Sequence, residues 1–237
     1  MHRFLVTGVA PLALVVVCCL NVFGHSAWAS EATYVAGKRT VQGVINTLGV
    51  DARARLVSRF NNVGISYPPN TATFLATKDN ARLELWVGPP TMPTYVYTYS
   101  ILALSGNSGP KLREGDRQVP EGIYSIEGLN PNSSYHLSLK LNYPNEFDLV
   151  HAQAEGRDTP GTNIFIHGKA VSIGCLAMGD PAVEEIFTLV AEIGRKNIEV
   201  VIAPTDPRTG SLQPIASLPW TTELYDDISE KFSYFTE

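Results

Sequence analysis

Short β-type segments separated by turns recur from residue 70 to residue 205, and they limit the folds that this chain can adopt. The segments "TATFLAT" and "RLELWVG" alternate apolar and polar residues on either side of "KDNA", which predicts a β-hairpin. Further strands are predicted at "TYVYTYSILALSG", "IYSIEGL", "SYHLSLKLNYP", "TNIFIHG" and "NIEVVIAP". Strands of this number and spacing predict a mainly β fold, either a β-sandwich or a curved mixed sheet.

Helical patterns occur ahead of the predicted strands and near their end. Apolar residues at helical spacing within residues 41–65 predict one short amphipathic helix ahead of the sheet. A second helix is predicted late in the chain, with Asp180 as its N-cap, Pro181 at its first position and Gly194 at its end. Residues 206–237 contain several aromatic side chains, and we expect an irregular tail that packs on the domain.

Residues 1–29 have the layout of a secretory signal peptide. Arg3 precedes a long apolar run, and Ala27-Trp28-Ala29 is a small-x-small cleavage pattern. We therefore expect an exported protein; an uncleaved N-terminal anchor is the alternative, because the apolar run is nearly long enough to span a bilayer. The predicted organisation is a signal peptide (1–29), a helical lead-in (30–69), a main domain (70–205) and the aromatic tail (206–237).

Composition narrows the possible ligands. The net charge of −5 leaves no basic surplus for nucleic acid. Cys18 and Cys19 leave with the signal peptide, so Cys175 has no partner for an intramolecular disulfide. A lone thiol in an oxidising compartment is either a buried small hydrophobe or a nucleophile. The remaining histidines and cysteine show no ligand spacing such as HxxxH or CxxC, so we expect no metal site and no cofactor.

The segment "NIFIHGKAVSIGCLAMGD" combines the elements of a thiol nucleophile. Such a nucleophile needs a base within hydrogen-bond reach and backbone N–H groups that can receive an oxyanion. His167 ends a predicted strand, and the seven residues between it and Cys175 are few enough to loop back. Gly174 lets the backbone turn tightly next to the thiol. These residues predict that His167 and Cys175 lie side by side.

These residues also resemble a known family. "IHG" followed by "VSIGC" resembles the active-site signature of the L,D-transpeptidase (YkuD-like) catalytic domain, and "GDRQVPEGIYSI" is similar to its Pro-x-Gly-aromatic strand. The resemblance covers roughly residues 70–205. It is closest to a Gram-negative subgroup of murein L,D-transpeptidases, in which similar blocks recur in the same order. It implies a periplasmic enzyme of the cell wall with the curved mixed sheet of that family.

The resemblance implies a role for each residue of the motif. Cys175 would be the nucleophile, with His167 as its base and the Gly168 carbonyl orienting the imidazole. The N–H groups of Gly174 and Cys175 would form the oxyanion hole, and Ser172 would support the loop. The thiolate would attack the L-centre carbonyl of diaminopimelate in a peptidoglycan stem peptide and expel the D-residue. The acyl group would pass to an amine, or to water as in an L,D-carboxypeptidase or an amidase that releases murein-bound lipoprotein.

Two departures from the family pattern bear on the substrate. The segment between His167 and Cys175 is shorter than usual, which predicts a reduced lid over the site. Ala177 stands where the family commonly has Arg or Asn, so another residue must hold a substrate carboxylate. The candidates are Lys169, Arg117 and His136. His151 is predicted to be a loop residue without a role in the site.

Two other classes of function remain open on the sequence. One is a catalytically inactive wall-binding module of the same fold, which the presence of both Cys175 and His167 disfavours. The other is a cysteine peptidase of a different fold with a protein substrate. In papain-like and NlpC-like enzymes the cysteine precedes the histidine, and here the order is reversed.

Overall fold

The structure is a computed structural model and describes residues 38–236. The predicted signal peptide, its alternative as an anchor and the first part of the lead-in lie outside the described residues. Within 38–236, no helix is both long enough and apolar enough to cross a membrane. The described residues belong to one compact unit. The predicted boundaries at residues 29, 69 and 205 stay predictions.

Eight strands form one mixed sheet flanked by five helices. In chain order the elements are α1 (Val41–Asn46), α2 (Leu48–Asn62), β1 (Ala72–Thr77), β2 (Arg82–Val87), β3 (Thr94–Ser100), β4 (Gly122–Asn130), β5 (Ser138–Leu141), α3 (Glu146–Ala154), β6 (Phe165–His167), β7 (Leu176–Ala177), α4 (Asp180–Ile193), β8 (Ile198–Ala203) and α5 (Thr221–Ser233). The strand order is β3-β2-β1-β8-β4-β5-β6-β7. The pairs β1–β8 and β6–β7 are parallel, and the other neighbouring pairs are antiparallel.

The central strands are buried on both faces. Phe74 and its β8 partner Val200 belong to the core shared with α1, α2 and α4. Leu75 and its partner Val201 point the other way, into a second core completed by α5. Burial on both sides explains why β1 and β8 are almost uniformly apolar. The architecture is therefore a sheet between helices; the β-sandwich alternative was wrong, whereas the mixed sheet was predicted correctly.

The strands lie close to their predicted positions, and the helices do not. The hairpin of β1 and β2 is present as predicted. The single N-terminal helix is two helices, α1 and α2, interrupted at Thr47. Asp180 is the first residue of α4 and not its N-cap, which is Gly179. Because the Asp180 carboxylate accepts a hydrogen bond from the backbone N–H of Lys169, it is not available as a cap.

Two further helices contradict the prediction of a mainly β chain, because helices hold more of the described residues than strands do. Helix α3 starts with a capping box between Asn145 and Asp148, and it contains His151, which was predicted to lie in a loop. Helix α5 occupies most of the tail that was predicted to be irregular. Its buried side chains are spaced as on one helical face: Leu224, Tyr225, Ile228 and Phe232.

Charged residues join α2 to α4, the helix that follows the candidate site. The Glu185 carboxylate is 1% exposed and accepts hydrogen bonds from Arg55 Nε at 2.7 Å and Arg59 Nε at 2.8 Å. The Tyr99 hydroxyl donates to the same carboxylate at 2.9 Å. These three donors satisfy the hydrogen-bonding capacity of a carboxylate that is buried between the helices. The network therefore fixes the position of α4 against α2.

A second buried network lies at the end of β1. Lys78 Nζ lies 3.0 Å from Glu121 Oε1, and the N–H of Gly109 donates to the same oxygen at 2.7 Å. The Tyr225 hydroxyl donates to Glu121 Oε2 at 2.8 Å. Burial lowers the pKa of Lys78, although the Glu121 carboxylate opposes the change. Glu121 thus connects β1, the loop that precedes β4 and helix α5.

Candidate active site

The strand register places His167 and Cys175 on the same face of the sheet. His167 pairs with Ser138 of β5 on one side and with Ala177 of β7 on the other. Cys175 comes directly before β7, so it lies diagonally across from His167. Because side chains alternate along a strand, Ser138, His167 and Cys175 point to one side. Leu139, Ile166 and Leu176 point to the core.

The two side chains line the same cavity, which has a volume of about 210 Å³. Its other lining residues are neutral: Asn130, Ser133, Ser134, Tyr135, Ser138 and Phe165. A larger groove of about 1070 Å³ lies at the start of β1 and the end of β2, and neither cysteine nor histidine lines it. In the described part of the chain, no group of three or more His, Cys, Asp or Glu side chains is arranged to hold a metal ion. The thiol chemistry therefore points to the smaller cavity.

The His167 imidazole is held in one tautomer. Its Nδ1 lies 2.6 Å from the carbonyl oxygen of Gly168. Because a carbonyl can only accept, Nδ1 carries the proton and Nε2 has a free lone pair. The residue is 2% exposed, and this burial lowers the pKa of His167, with the Gly168 carbonyl opposing the change. His167 is therefore a neutral base at pH 7.

The Cys175 thiol is half-buried and protonated. Its sulfur lies 3.8 Å from the carbonyl oxygen of Asn163. Burial raises the pKa of Cys175, while the N–H of Phe165 and the Lys111 ammonium oppose the change. Within residues 38–236 no hydrogen bond joins the sulfur to the His167 ring. The resting pair is a thiol and a neutral imidazole, and the thiol is directed to the Asn163 carbonyl.

The Ser172 hydroxyl organises the loop in front of the cysteine. Its oxygen accepts hydrogen bonds from the N–H groups of Gly174 at 3.2 Å and Cys175 at 3.0 Å. The hydroxyl donates to the Cys175 carbonyl at 2.7 Å. The two N–H groups that were predicted to form an oxyanion hole are thus already bonded. A substrate oxyanion would reach them only by replacing Ser172 Oγ as their acceptor.

The three predicted carboxylate-binding residues lie in different surroundings. Lys169 Nζ donates to the carbonyl of Ser134 at 2.7 Å, which places its ammonium at the rim of the cavity. The Arg117 backbone packs beside Gly174, and its exposed side chain does not line the cavity. His136 Nε2 lies 2.9 Å from Glu184 Oε1 on α4, so its ring is engaged outside the cavity. Of these three residues, Lys169 is the one whose charged group contacts a residue of the cavity lining.

Position 177, next to the imidazole, is occupied by alanine and brings no cation to the cavity. Ala177 pairs directly with His167 across β6 and β7, and it is fully buried. A long cationic side chain at this position would start next to the imidazole. Among the described residues, those that line the cavity include no lysine, arginine, aspartate or glutamate.

Several residues near the site were missed at the level of sequence. Tyr135 belongs to the predicted strand "SYHLSLKLNYP"; instead, it precedes β5, and its ring centroid lies 4.6 Å from that of His167. Lys111 is buried, and its ammonium bonds to Asp116 and to the carbonyl of Arg113. Lys111 and Asp116 belong to the sequence block "GPKLREGDRQVPEG", which carried part of the family resemblance without suggesting a buried ion pair.

Backbone strain is concentrated around the cavity. Among the described residues, five non-glycine residues have a positive φ, and four of them flank the site: Arg117, His136, Asn163 and Lys169. A left-handed conformation is costly for residues with a side chain and persists where surrounding contacts impose it. The loops around Cys175 are therefore held in place by tertiary contacts, and local propensity alone does not determine them.

Comparison with known proteins gives the following matches. The model of a family described as "L,D-transpeptidase catalytic domain" (YkuD) matches residues 75–202, more than half of the chain. Over 132 residues the chain is 35% identical to the Escherichia coli K12 protein named "Putative L,D-transpeptidase YafK", which covers 54% of this chain and 51% of that protein. The protein of the same name from Escherichia coli O157:H7 matches to the same extent. The chain thus spans about half the length of these curated relatives.

Two solved structures are similar to this one at low sequence identity. The crystal structure of the helical cell shape determining protein Pgp2 from Campylobacter jejuni has a TM-score of 0.47 and 21% identity, covering 62% of this chain and 55% of that chain. The structure of Bdellovibrio bacteriovorus Bd1075 has a TM-score of 0.41 and 18% identity, covering 69% of this chain and 53% of that chain.

Proposed function

This chain belongs to the YkuD family of L,D-transpeptidase catalytic domains, and from that premise we propose that it is a periplasmic cysteine enzyme of the cell wall. Its substrate would be a peptidoglycan stem peptide, cleaved between the L-centre of diaminopimelate and the following D-residue. The acceptor would be an amine in a transpeptidase, or water in a carboxypeptidase or an amidase that releases lipoprotein. The observation that carries the proposal is the shared cavity of His167 and Cys175.

The first chemical step is formation of the carbon–sulfur bond. His167 Nε2 takes the proton of the Cys175 thiol as the sulfur attacks the substrate carbonyl carbon, and the carbonyl π electrons move to oxygen. Because Nδ1–H donates to the Gly168 carbonyl, the positive charge on the ring is stabilised as it forms. Since both groups start neutral, the proton passes within the enzyme–substrate complex, and the resting enzyme need not hold an ion pair.

The tetrahedral intermediate then collapses to a thioester. The N–H groups of Gly174 and Cys175 would transfer their hydrogen bonds from Ser172 Oγ to the oxyanion. The carbon–nitrogen bond breaks, and the leaving amine receives its proton from His167 Nε2. Water or an acceptor amine next gives a proton to Nε2 and attacks the thioester. Release of the product returns the proton to the Cys175 sulfur.

Lys169 would hold the carboxylate of the D-residue. Its ammonium at the cavity rim supports this role, because the position of the commoner Arg or Asn is taken by Ala177. Arg117 and His136 are weaker candidates, since neither side chain lines the cavity. Lys169→Met should raise KM for a tetrapeptide with a free terminal carboxylate more than it lowers kcat, because a charged contact to a remote group acts mainly on binding.

Mass spectrometry of the products tests the proposed reaction. Purified stem tetrapeptide, and intact sacculi carrying bound lipoprotein, would be incubated with the wild type and with Cys175→Ala. Loss of terminal D-alanine or release of lipoprotein that requires Cys175 identifies a hydrolase, and dimers joined through diaminopimelate identify a transpeptidase. Identical products from the two proteins on every substrate would refute the nucleophile and favour the inactive wall-binding module.

Export is tested separately, on protein made with its full N-terminus. A periplasmic product that begins at Ser30 is expected if residues 1–29 are a cleaved signal peptide. A membrane-bound product that retains these residues would favour the anchor alternative, and a product confined to the cytoplasm would refute export.

A further inference from the structure

A short segment crosses over the imidazole of His167. Residues 133–137, here called the strap, connect the end of β4 to the start of β5. Two cationic side chains hold its backbone: Lys169 Nζ donates to the Ser134 carbonyl at 2.7 Å, and the Arg39 guanidinium donates to the His136 carbonyl at 2.6 Å. The strap is therefore fixed by residues from distant parts of the chain.

Two further contacts press the strap onto the His-Gly pair. His136, with a φ of 72°, directs its ring to Glu184 of α4 at 2.9 Å. Gly168 lies directly beneath: a Cβ at this position would be 2.7 Å from the Tyr135 carbonyl oxygen and 3.0 Å from His136 Cβ. Only glycine allows this approach of two backbones. The same glycine whose carbonyl holds the His167 ring thus also seats the strap.

This seating places the Tyr135 ring against the His167 ring. The centroids lie 4.6 Å apart with the planes tilted by 37°. Tyr135 is 38% exposed, whereas His167 is 2% exposed, and both residues line the cavity. Within the described residues its hydroxyl has no hydrogen-bond partner. Its ring is thus a cover, and its hydroxyl is available to a ligand in the cavity.

We propose that Tyr135 is a positioning residue of this site. Its ring covers the His167 imidazole and replaces the lid that the short segment between His167 and Cys175 cannot form. The inference rests on the proposed function only in taking His167 as the base. An aromatic ring in tilted contact restricts the orientation of the imidazole and excludes water from one of its faces. Nε2 then stays aimed into the cavity, and the ring stays neutral.

The charged and titratable groups around this contact include the Arg39 guanidinium on the strap and the Lys111 ammonium, which acts on Cys175. Cys175 shares the cavity, Lys169 stands at the rim, and the Asp180 carboxylate bonds to the Lys169 N–H. The pair of His136 and Glu184 lies on the far side of the strap. None of these groups is altered when Tyr135 is replaced, so a changed titration of His167 would report on loss of the cover itself.

The test is the pKa of His167, measured by NMR of protein labelled at histidine, together with kcat/KM. His136→Gln and His151→Gln assign the signals. We expect Tyr135→Ala to raise the pKa of His167 toward 6.5 and to lower kcat/KM about tenfold or more, since small misplacements of a catalytic group are costly. Tyr135→Phe keeps the ring, so the pKa stays low, and any change in KM reports the hydroxyl. Tyr234→Ala, at a tyrosine of similar exposure directly after α5, is the matched control and should change neither quantity.

An unchanged pKa of His167 in Tyr135→Ala would overturn the inference, as would an equal rise in Tyr135→Phe. If Tyr135→Ala fails to fold, Tyr135→Leu removes the ring while keeping an apolar side chain, and the same shift is expected from it at reduced size. The titration needs no substrate. A protein without activity on peptidoglycan but with a shifted His167 would therefore refute the proposed function and leave the role of Tyr135 intact.

Discussion

Replacement of Gly168 by alanine is the most severe small change that the structure predicts for this site. The added Cβ would lie 2.6 Å from Asp180 Oδ1 and 2.7 Å from the Tyr135 carbonyl oxygen, whereas ordinary contacts of a Cβ begin near 3.4 Å. Each overlap is therefore about 0.7–0.8 Å. The Asp180 side chain can rotate, but the carbonyl belongs to backbone that is held from several sides. The strap and the strand that ends at His167 must separate.

Two costs follow from that separation. Overpacking a well-packed position typically destabilises a protein by about 1–3 kcal/mol. For a chain of this size, that range corresponds to a fall in Tm of roughly 2–12 °C. The imidazole moves as well, because its Nδ1 is bonded to the carbonyl of Gly168 itself. A displacement of about 1 Å costs on the order of 100-fold in rate, so kcat/KM should fall by about that factor.

Thermal unfolding and the release of terminal D-alanine measure the two effects. Gly128→Ala is the matched control, because Gly128 lies in a strand and nothing stands within 4 Å of its Cβ position. We expect that variant to be as active as the wild type and no less stable by more than about 0.5 kcal/mol. If Gly168→Ala unfolded and reacted like Gly128→Ala, the close packing of the strap on the His-Gly pair would be refuted.

Four other experiments test the energetics of the fold and of the site. Glu185→Gln leaves two arginines and a tyrosine without their charged acceptor. The free energy of unfolding, measured in urea, should fall by about 3 kcal/mol, at the low end for buried pairs because the arginines are partly exposed. A loss as small as that of the exposed Glu127→Gln would contradict this expectation. Burial raises the pKa of Asp148 to about 6, so the ionised carboxylate destabilises the folded state above that pH. Asp148→Asn should therefore stabilise the protein by about 2–3 kcal/mol at pH 7.5 and not at all at pH 4. Because burial lowers the pKa of His167, kcat/KM should increase with pH, and the midpoint of this increase should lie below pH 6.5. The stability that neutral His167 contributes is complete above pH 6.5 and should be lost as the pH falls through the same midpoint. Alkylation of Cys175 should accelerate mainly above pH 9, because burial raises its pKa, and full reactivity at pH 6 would reveal a preformed thiolate instead.

The parts of the fold that follow a simple period were predictable from sequence. Alternating apolar residues locate most of the strands, including the one that ends at His167. Helix α5 was not predicted, although its apolar residues follow helical spacing and could have identified it. Helix α3 could not be identified in this way, because its pattern is inverted: Asp148 is buried, while Leu149 and Val150 are exposed. When the buried residue is acidic and its apolar neighbours are exposed, the sequence shows no amphipathic pattern from which a helix could be predicted.

The site could be predicted only as far as its motif reaches. His167 and Cys175 lie close together in sequence, so a short loop between two strands is enough to pair them. Tyr135 was assigned to a strand because the predicted strand began too early, before His136. The positive φ of His136 interrupts the extended backbone, and β5 begins only after it. That φ results from contacts with Arg39, Glu184 and Gly168, which are distant in sequence. Tertiary contacts of this kind leave no periodic signal.

The occupied N–H groups beside Cys175 have a consequence for inhibitor design. A tetrahedral anion, such as an aldehyde or boronate adduct, gains affinity when it finds unpaired donors waiting for it. Here Ser172 already satisfies those donors, so part of that gain is spent on displacing a hydroxyl. An electrophile that captures the sulfur without forming an oxyanion avoids the exchange. Transition-state mimics should therefore gain less affinity from these two N–H groups than they would from unpaired donors.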